Sequence, residues 1–94
     1  MDRLTIKEAN RALESVKEPF VKLFSNGSMS VEFYKPDRVD LQKPHTRDEI
    51  YVVASGSGWF VNGQSRKQFE VGEVLFVPAG IEHRFEDFTE DFAT

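Results

Sequence analysis

Cysteine is absent from these 94 residues, so no disulfide staples the fold, no thiolate holds a metal and no thiol acts as nucleophile. Any bound metal would rest on nitrogen and oxygen ligands. Long apolar runs are missing too. No stretch approaches the length that crosses a bilayer, and Asp2-Arg3-Leu4 lacks the uninterrupted apolar core of a signal peptide. A soluble, cytoplasmic protein with no membrane partner is expected. Basic charge is outnumbered, with 12 Lys and Arg against 16 Asp and Glu for a formal net charge of -4, and it is scattered along the chain. Without a basic stripe, nucleic acid is not expected as a partner.

What is present suits one domain, residues 1–94, near the lower end of what a single hydrophobic core supports. Thr5-Ile6-Lys7-Glu8 fits a capping box, in which the Thr hydroxyl and the Glu carboxylate each satisfy an orphan backbone N–H. Ile6, Ala9, Leu13 and Val16 follow at helical spacing, which predicts a short amphipathic helix over about 6–15, ended before Pro19. From residue 19 onward, short runs of Val, Phe, Tyr and Ile alternate with Gly, Asn, Asp and Pro, the punctuation of an all-β barrel. Strands are expected at 20–24, 29–34, 49–54, 59–62, 66–70, 74–77 and 83–85. Asn26-Gly27 and Asn62-Gly63 predict type I′ hairpin turns, which need positive φ at both central positions. Ser55-Gly56-Ser57-Gly58, set between two strongly β-forming runs, reads as a tight corner of the barrel wall.

Two segments carry polar groups that a plain barrel does not need. In Gln42-Lys43-Pro44-His45-Thr46-Arg47-Asp48-Glu49, His45 and Glu49 stand four apart and share one side of an extended chain. Alternation sends Asp48 to the other side, and Lys43, Arg47 and Asp48 read as surface residues. In the second segment, residues 72–83, an apolar strand enters a Pro78-Ala79-Gly80 turn and the next strand starts at His83, with Arg84 pointing outward. Imidazole and carboxylate suit Zn, Fe, Mn or Ni, and two His with one carboxylate is the facial set of non-haem iron oxygenases. Phe33, Tyr51, Phe60, Phe76 and Phe85 would line a pocket, although core packing is the commoner role for such residues.

These spacings resemble the cupin superfamily. Its first motif is H-x-H, three or four residues, Glu, six residues, Gly; its second is Gly, five residues, Pro-x-Gly, two residues, His, three residues, Asn. The second is met at Gly72, Pro78, Gly80 and His83, with Asp87 in place of Asn. The first is met at His45, Glu49 and Gly56, but its other histidine is missing, and Lys43 or Gln42 stands there depending on the spacing chosen. An ammonium must lose its proton to coordinate whereas an amide oxygen need not, so Gln42 is the candidate fourth ligand. The resemblance covers about 29–92 and implies a double-stranded β-helix, that is, a small jelly roll, holding one divalent ion (Fe, Mn, Ni or Zn) on His45, Glu49, His83 and Gln42.

Three function classes stay open at this stage. They are a metal-dependent oxidoreductase or dioxygenase acting on a small organic substrate, a metal-free isomerase or lyase using the same residues as acid and base, and a non-enzymatic barrel that binds a small ligand. Cupins generally continue past the second-motif strand with another strand, so 91–94 either begins a final strand that is cut short or leaves an open edge that a neighbouring chain covers, and a homodimer is expected.

Overall fold

The computed structural model describes residues 2–94. Helix α1 (Ile6–Glu14) begins at Thr5, whose hydroxyl oxygen accepts the Glu8 N–H at 3.1 Å. The reciprocal half of the capping box takes another form: the Glu8 carboxylate receives the Thr5 hydroxyl proton at 2.9 Å. Of the apolar helical positions, Ala9 is buried and Leu13 half-buried, but Ile6 stays in water. The helix therefore rests on the barrel along a narrow stripe.

Seven antiparallel strands follow: β1 (Phe20–Asn26), β2 (Met29–Tyr34), β3 (Glu49–Val52), β4 (Gly58–Asn62), β5 (Ser65–Phe69), β6 (Val74–Val77) and β7 (His83–Glu86). The β1–β2 and β4–β5 hairpins turn one residue later than predicted. Asn26 and Asn62 pair in the ladders, opposite Met29 and Ser65, and the loops are Gly27-Ser28 and Gly63-Gln64. Only the glycine of each loop has positive φ, at 59° and 61°, which fits a type II′ turn and not type I′.

One sheet runs β5-β4-β7. The remaining strands form two two-stranded sheets, β1–β2 and β3–β6, and the last residues of the chain run between them. Thr94 exchanges both backbone hydrogen bonds with Tyr34, at 2.7 and 2.9 Å, while the Ala93 carbonyl accepts from Ala54 at 2.8 Å and the Ala93 N–H donates to Ser55 at 3.1 Å. Residues 93–94 thus sit between two strands. Ala93 and Thr94 are therefore not an unpaired edge.

Val53, Phe60, Phe69, Val77, Phe85 and Phe92 form the core. Each such side chain, fully removed from water, is worth about 1.5–3 kcal/mol. Phe33 is buried elsewhere, with Ala9 and Ala93 between α1 and the outside of its sheet. Phe76, a candidate for pocket or core, is neither: its side chain points out and is 54% exposed. The glycine-rich corner has a steric cause. A Cβ on Gly56 would lie 2.6 Å from Phe92 Cα, and one on Gly58 would lie 2.8 Å from Phe88 Cα, so the corner is bare because the C-terminal segment lies against it.

Candidate metal centre

Local geometry brings the two polar segments together. Pro78 and Ile81 close a turn with Gly80 at φ 80°, the position where a type II turn requires glycine. That turn is clamped to the first segment twice: the Gly80 N–H donates to the His45 carbonyl at 2.7 Å, and the Ala79 N–H donates to the Asp48 carboxylate at 2.8 Å. Asp48 is a surface residue as expected, but it fixes the register between the segments. Asp87, where the second motif usually has Asn, has φ 48° and binds Arg66 at 3.0 Å. Its role is a left-handed backbone turn that Asn and Asp tolerate, away from the centre.

One ligand atom from each of His45, Glu49 and His83 lies within 4.8 Å of the other two. Two ligands of one ion at about 2.1 Å can stand about 4.2 Å apart, so small side-chain adjustments close the set on a metal. His83 is fully buried at the floor, whereas the His45 and Glu49 side chains are 39% and 25% exposed, so the centre opens to solvent on their side. The tautomer of His83 follows from its partner. Its Nδ1 lies 2.9 Å from the Ile81 carbonyl, which can only accept, so Nδ1 carries the proton and Nε2 offers a lone pair to the centre.

Gln42 is drawn in as well. Its amide nitrogen donates to Asp40 at 2.6 Å, which turns its oxygen toward the centre, 3.2 Å from His83 Nε2. Lys43 is exposed. Tyr51 completes the group, its hydroxyl 2.6 Å from a Glu49 oxygen, 2.9 Å from the Gln42 oxygen and 3.1 Å from His83 Nε2. Burial first, then the hydrogen bond to Glu49, pushes the Tyr51 phenol well above its ordinary range. Behind it the buried Asp40 carboxylate accepts from the Tyr34 hydroxyl, the Gln42 backbone and side chain, and the Phe85 N–H.

Donors and acceptors do not balance in the centre. The Tyr51 hydroxyl supplies one proton, while His83 Nε2, the Gln42 oxygen and both Glu49 oxygens converge as electron-pair donors. His45 Nδ1 abuts Glu49, is buried, and makes no hydrogen bond. An orphaned buried nitrogen costs about 1–3 kcal/mol, and a surplus of lone pairs around it is what a cation relieves. The residues present therefore fit a divalent metal. Of two surface clefts, of about 550 and 420 Å³, one runs along α1 and the other is lined by Arg38, Arg84 and Asp40, which also supports Gln42.

Residues 30–91 match the cupin domain family. The chain is a cupin. It is 37% identical over 91 residues to an uncharacterized protein of Streptomyces coelicolor, covering 95% of this chain and 85% of that one. No solved structure matches it. Among the described residues, no helix of this cupin is long and apolar enough to cross a membrane.

Two residues of the centre escaped the sequence reading in their actual roles. Tyr51 was grouped with pocket-or-core aromatics, although alternation from Glu49 places the two on one face. Asp40 stands two residues before Gln42 by the same rule, but no motif marks it.

Proposed function

We propose that this cupin holds one divalent ion, Fe, Mn, Ni or Zn, on His45 Nδ1, the Glu49 carboxylate and His83 Nε2, with the Gln42 oxygen as fourth ligand. The reading extends to metal-dependent oxidoreductase or dioxygenase chemistry on a small organic substrate. The observation that carries it is the convergence of lone pairs around an orphaned His45 Nδ1. A metal there would supply Lewis acidity, or redox capacity if it is iron. The chain's own residues do the positioning: Ile81 sets the His83 tautomer, Asp40 aims the Gln42 oxygen, and the half-buried Tyr51 keeps its proton beside Glu49. Three or four protein ligands, reached from the His45 side, leave room for water or substrate, the openness of a catalytic centre.

One observation favours a second reading. The Tyr51 hydroxyl links Glu49 and His83, which makes an acid–base pair available without a metal, as an isomerase or lyase would need.

The test is elemental analysis of protein purified without affinity tag or added metal, run beside His83→Ala and Glu49→Ala. Near-stoichiometric Fe, Mn, Ni or Zn in the wild type, lost in both variants, is the expected result. A wild type that is metal-free and cannot be loaded contradicts the first reading and leaves the acid–base pair, or a ligand-binding barrel, to be screened.

A further inference from the structure

The dipeptide Asn-Gly occurs twice, at Asn26-Gly27 and Asn62-Gly63, each time at the turn of a hairpin with the glycine at positive φ. In this pair the backbone nitrogen of the second residue can close a five-membered ring on the side-chain Cγ of the first, and glycine has no Cβ to block the approach. Local sequence and turn are the same in both places. The surroundings are not.

At the second hairpin both reacting groups are occupied. The Asn62 amide donates to the Phe76 carbonyl at 2.9 Å, and the Gly63 N–H donates to the Glu82 carbonyl at 2.8 Å. Asn62 is half-buried at the end of β4, paired with Ser65 on one side and His83 on the other. Reaction there requires this corner of the sheet to open first. At the first hairpin Asn26 pairs on one side alone, with Met29, and Asn26, Gly27 and Ser28 are all exposed. Neither the Asn26 amide nor the Gly27 N–H has a hydrogen-bond partner among the described residues, and no atom lies within 4 Å of where a Cβ on Gly27 would stand.

We propose that Asn26 is a site of spontaneous covalent modification, losing its side-chain amide through a cyclic imide, and that the fold protects Asn62 from the same reaction. The Gly27 nitrogen gives its proton to solvent and bonds to Asn26 Cγ, the Cγ–Nδ2 bond breaks, and the amide nitrogen leaves as ammonia. Water then opens the ring at either carbonyl, leaving aspartate or its β-linked isomer. No oxidant or cofactor is needed. Each event adds one negative charge at the hairpin tip, and the β-linked product adds one carbon to the backbone path between β1 and β2. None of Gln42, His45, Glu49, Tyr51 and His83 lies in this hairpin, so the modification is independent of whether the centre holds a metal.

The full chain, aged in mildly alkaline buffer, digested with trypsin and read by mass spectrometry, tests it, since Asn26 and Asn62 fall in separate peptides, 23–38 and 48–66. The expected result is a gain of one mass unit at Asn26 at least about tenfold faster than at Asn62, the factor supplied by two hydrogen bonds that must break first. In guanidinium chloride, where both hairpins are open, the two rates should converge. Asn26→Gln, an exposed change that would need a larger ring, should abolish the gain in its peptide and leave the Asn62 rate unchanged. Equal rates in the folded chain overturn the proposal, as does an Asn26 that stays intact in the folded chain but is lost in denaturant. A preference for Asn26 that persists in denaturant also overturns it, because sequence neighbours and not the fold would then set the rate.

Discussion

Asp40→Asn probes the polar floor under the centre with a change of one atom. Each Asp40 oxygen serves two donors: one takes the Tyr34 hydroxyl at 2.5 Å and the Gln42 N–H at 3.1 Å, the other the Gln42 amide at 2.6 Å and the Phe85 N–H at 2.8 Å. Asparagine replaces one oxygen with a donor, whichever way it turns. The side chain in the affected pair adapts, because the Tyr34 hydroxyl rotates or the Gln42 amide flips. The backbone N–H in that pair does not, so Gln42 or Phe85 is left facing a donor in a buried place. An unsatisfied group costs about 1–3 kcal/mol and the weakened bonds to a former carboxylate add to it, for a total of about 2–4 kcal/mol. In a domain of this length that lowers Tm by about 10–25 °C. Urea and thermal denaturation followed by circular dichroism read both figures. A loss under about 0.5 kcal/mol, the range of a neutral surface change, would refute the hub assigned to Asp40. Metal affinity is the second readout and should fall about 10–100-fold, as for other supports of a metal ligand. A stability loss with unchanged affinity would remove Gln42 from the ligand set and leave the other three in place.

Other perturbations read different parts of the account. Gly56→Ala combines a left-handed φ of 79° with a Cβ 2.6 Å from the Phe92 backbone, so it should cost about 2–4 kcal/mol in urea denaturation; a loss below about 1 kcal/mol would mean the corner gives way easily. In the metal-free protein both tyrosines, Tyr34 and Tyr51, have phenols raised from their ordinary value of 10.0 chiefly by burial. Because the folded state keeps these protons while the unfolded chain releases them above pH 10, their stabilisation is complete below that pH. It then falls by about 1.4 kcal/mol per pH unit for each tyrosine. Absorbance at 295 nm should therefore show no phenolate until unfolding, and a tyrosine ionising near pH 10 in the folded chain would contradict the burial. His45→Gln keeps a neutral polar side chain but loses the orphaned nitrogen, and should reduce metal loading without lowering Tm; equal loading would take His45 out of the set.

Much of the fold was legible because alternation and turn residues act locally. The seven strands fall within two residues of where Val, Phe and Ile clusters placed them, and the Pro78-Ala79-Gly80 turn carries the second segment into β7. The hairpins slipped by one residue because a single positive φ at Gly27 or Gly63 suffices, leaving Asn26 and Asn62 free to join the ladders. His45, Glu49 and His83 were nameable from their match to the cupin motifs and Gln42 from its place near the missing histidine, and their convergence depends on the Gly80 and Asp48 clamps across the fold. Asp40 was invisible because no motif marks it and because Phe85, whose N–H it accepts, lies 45 residues further along the chain. The fate of 93–94 was misjudged for a related reason: pairing on both sides depends on strands that the two residues themselves do not reveal.

The central claim concerns one place in the molecule, and diffraction from metal-soaked crystals, collected at the absorption edge of the added ion, addresses it directly. The account predicts a single strong anomalous peak bounded by His45 Nδ1, Glu49 and His83 Nε2, each at about 2.0–2.2 Å. A peak elsewhere, or none between those three side chains under saturating metal, would contradict it.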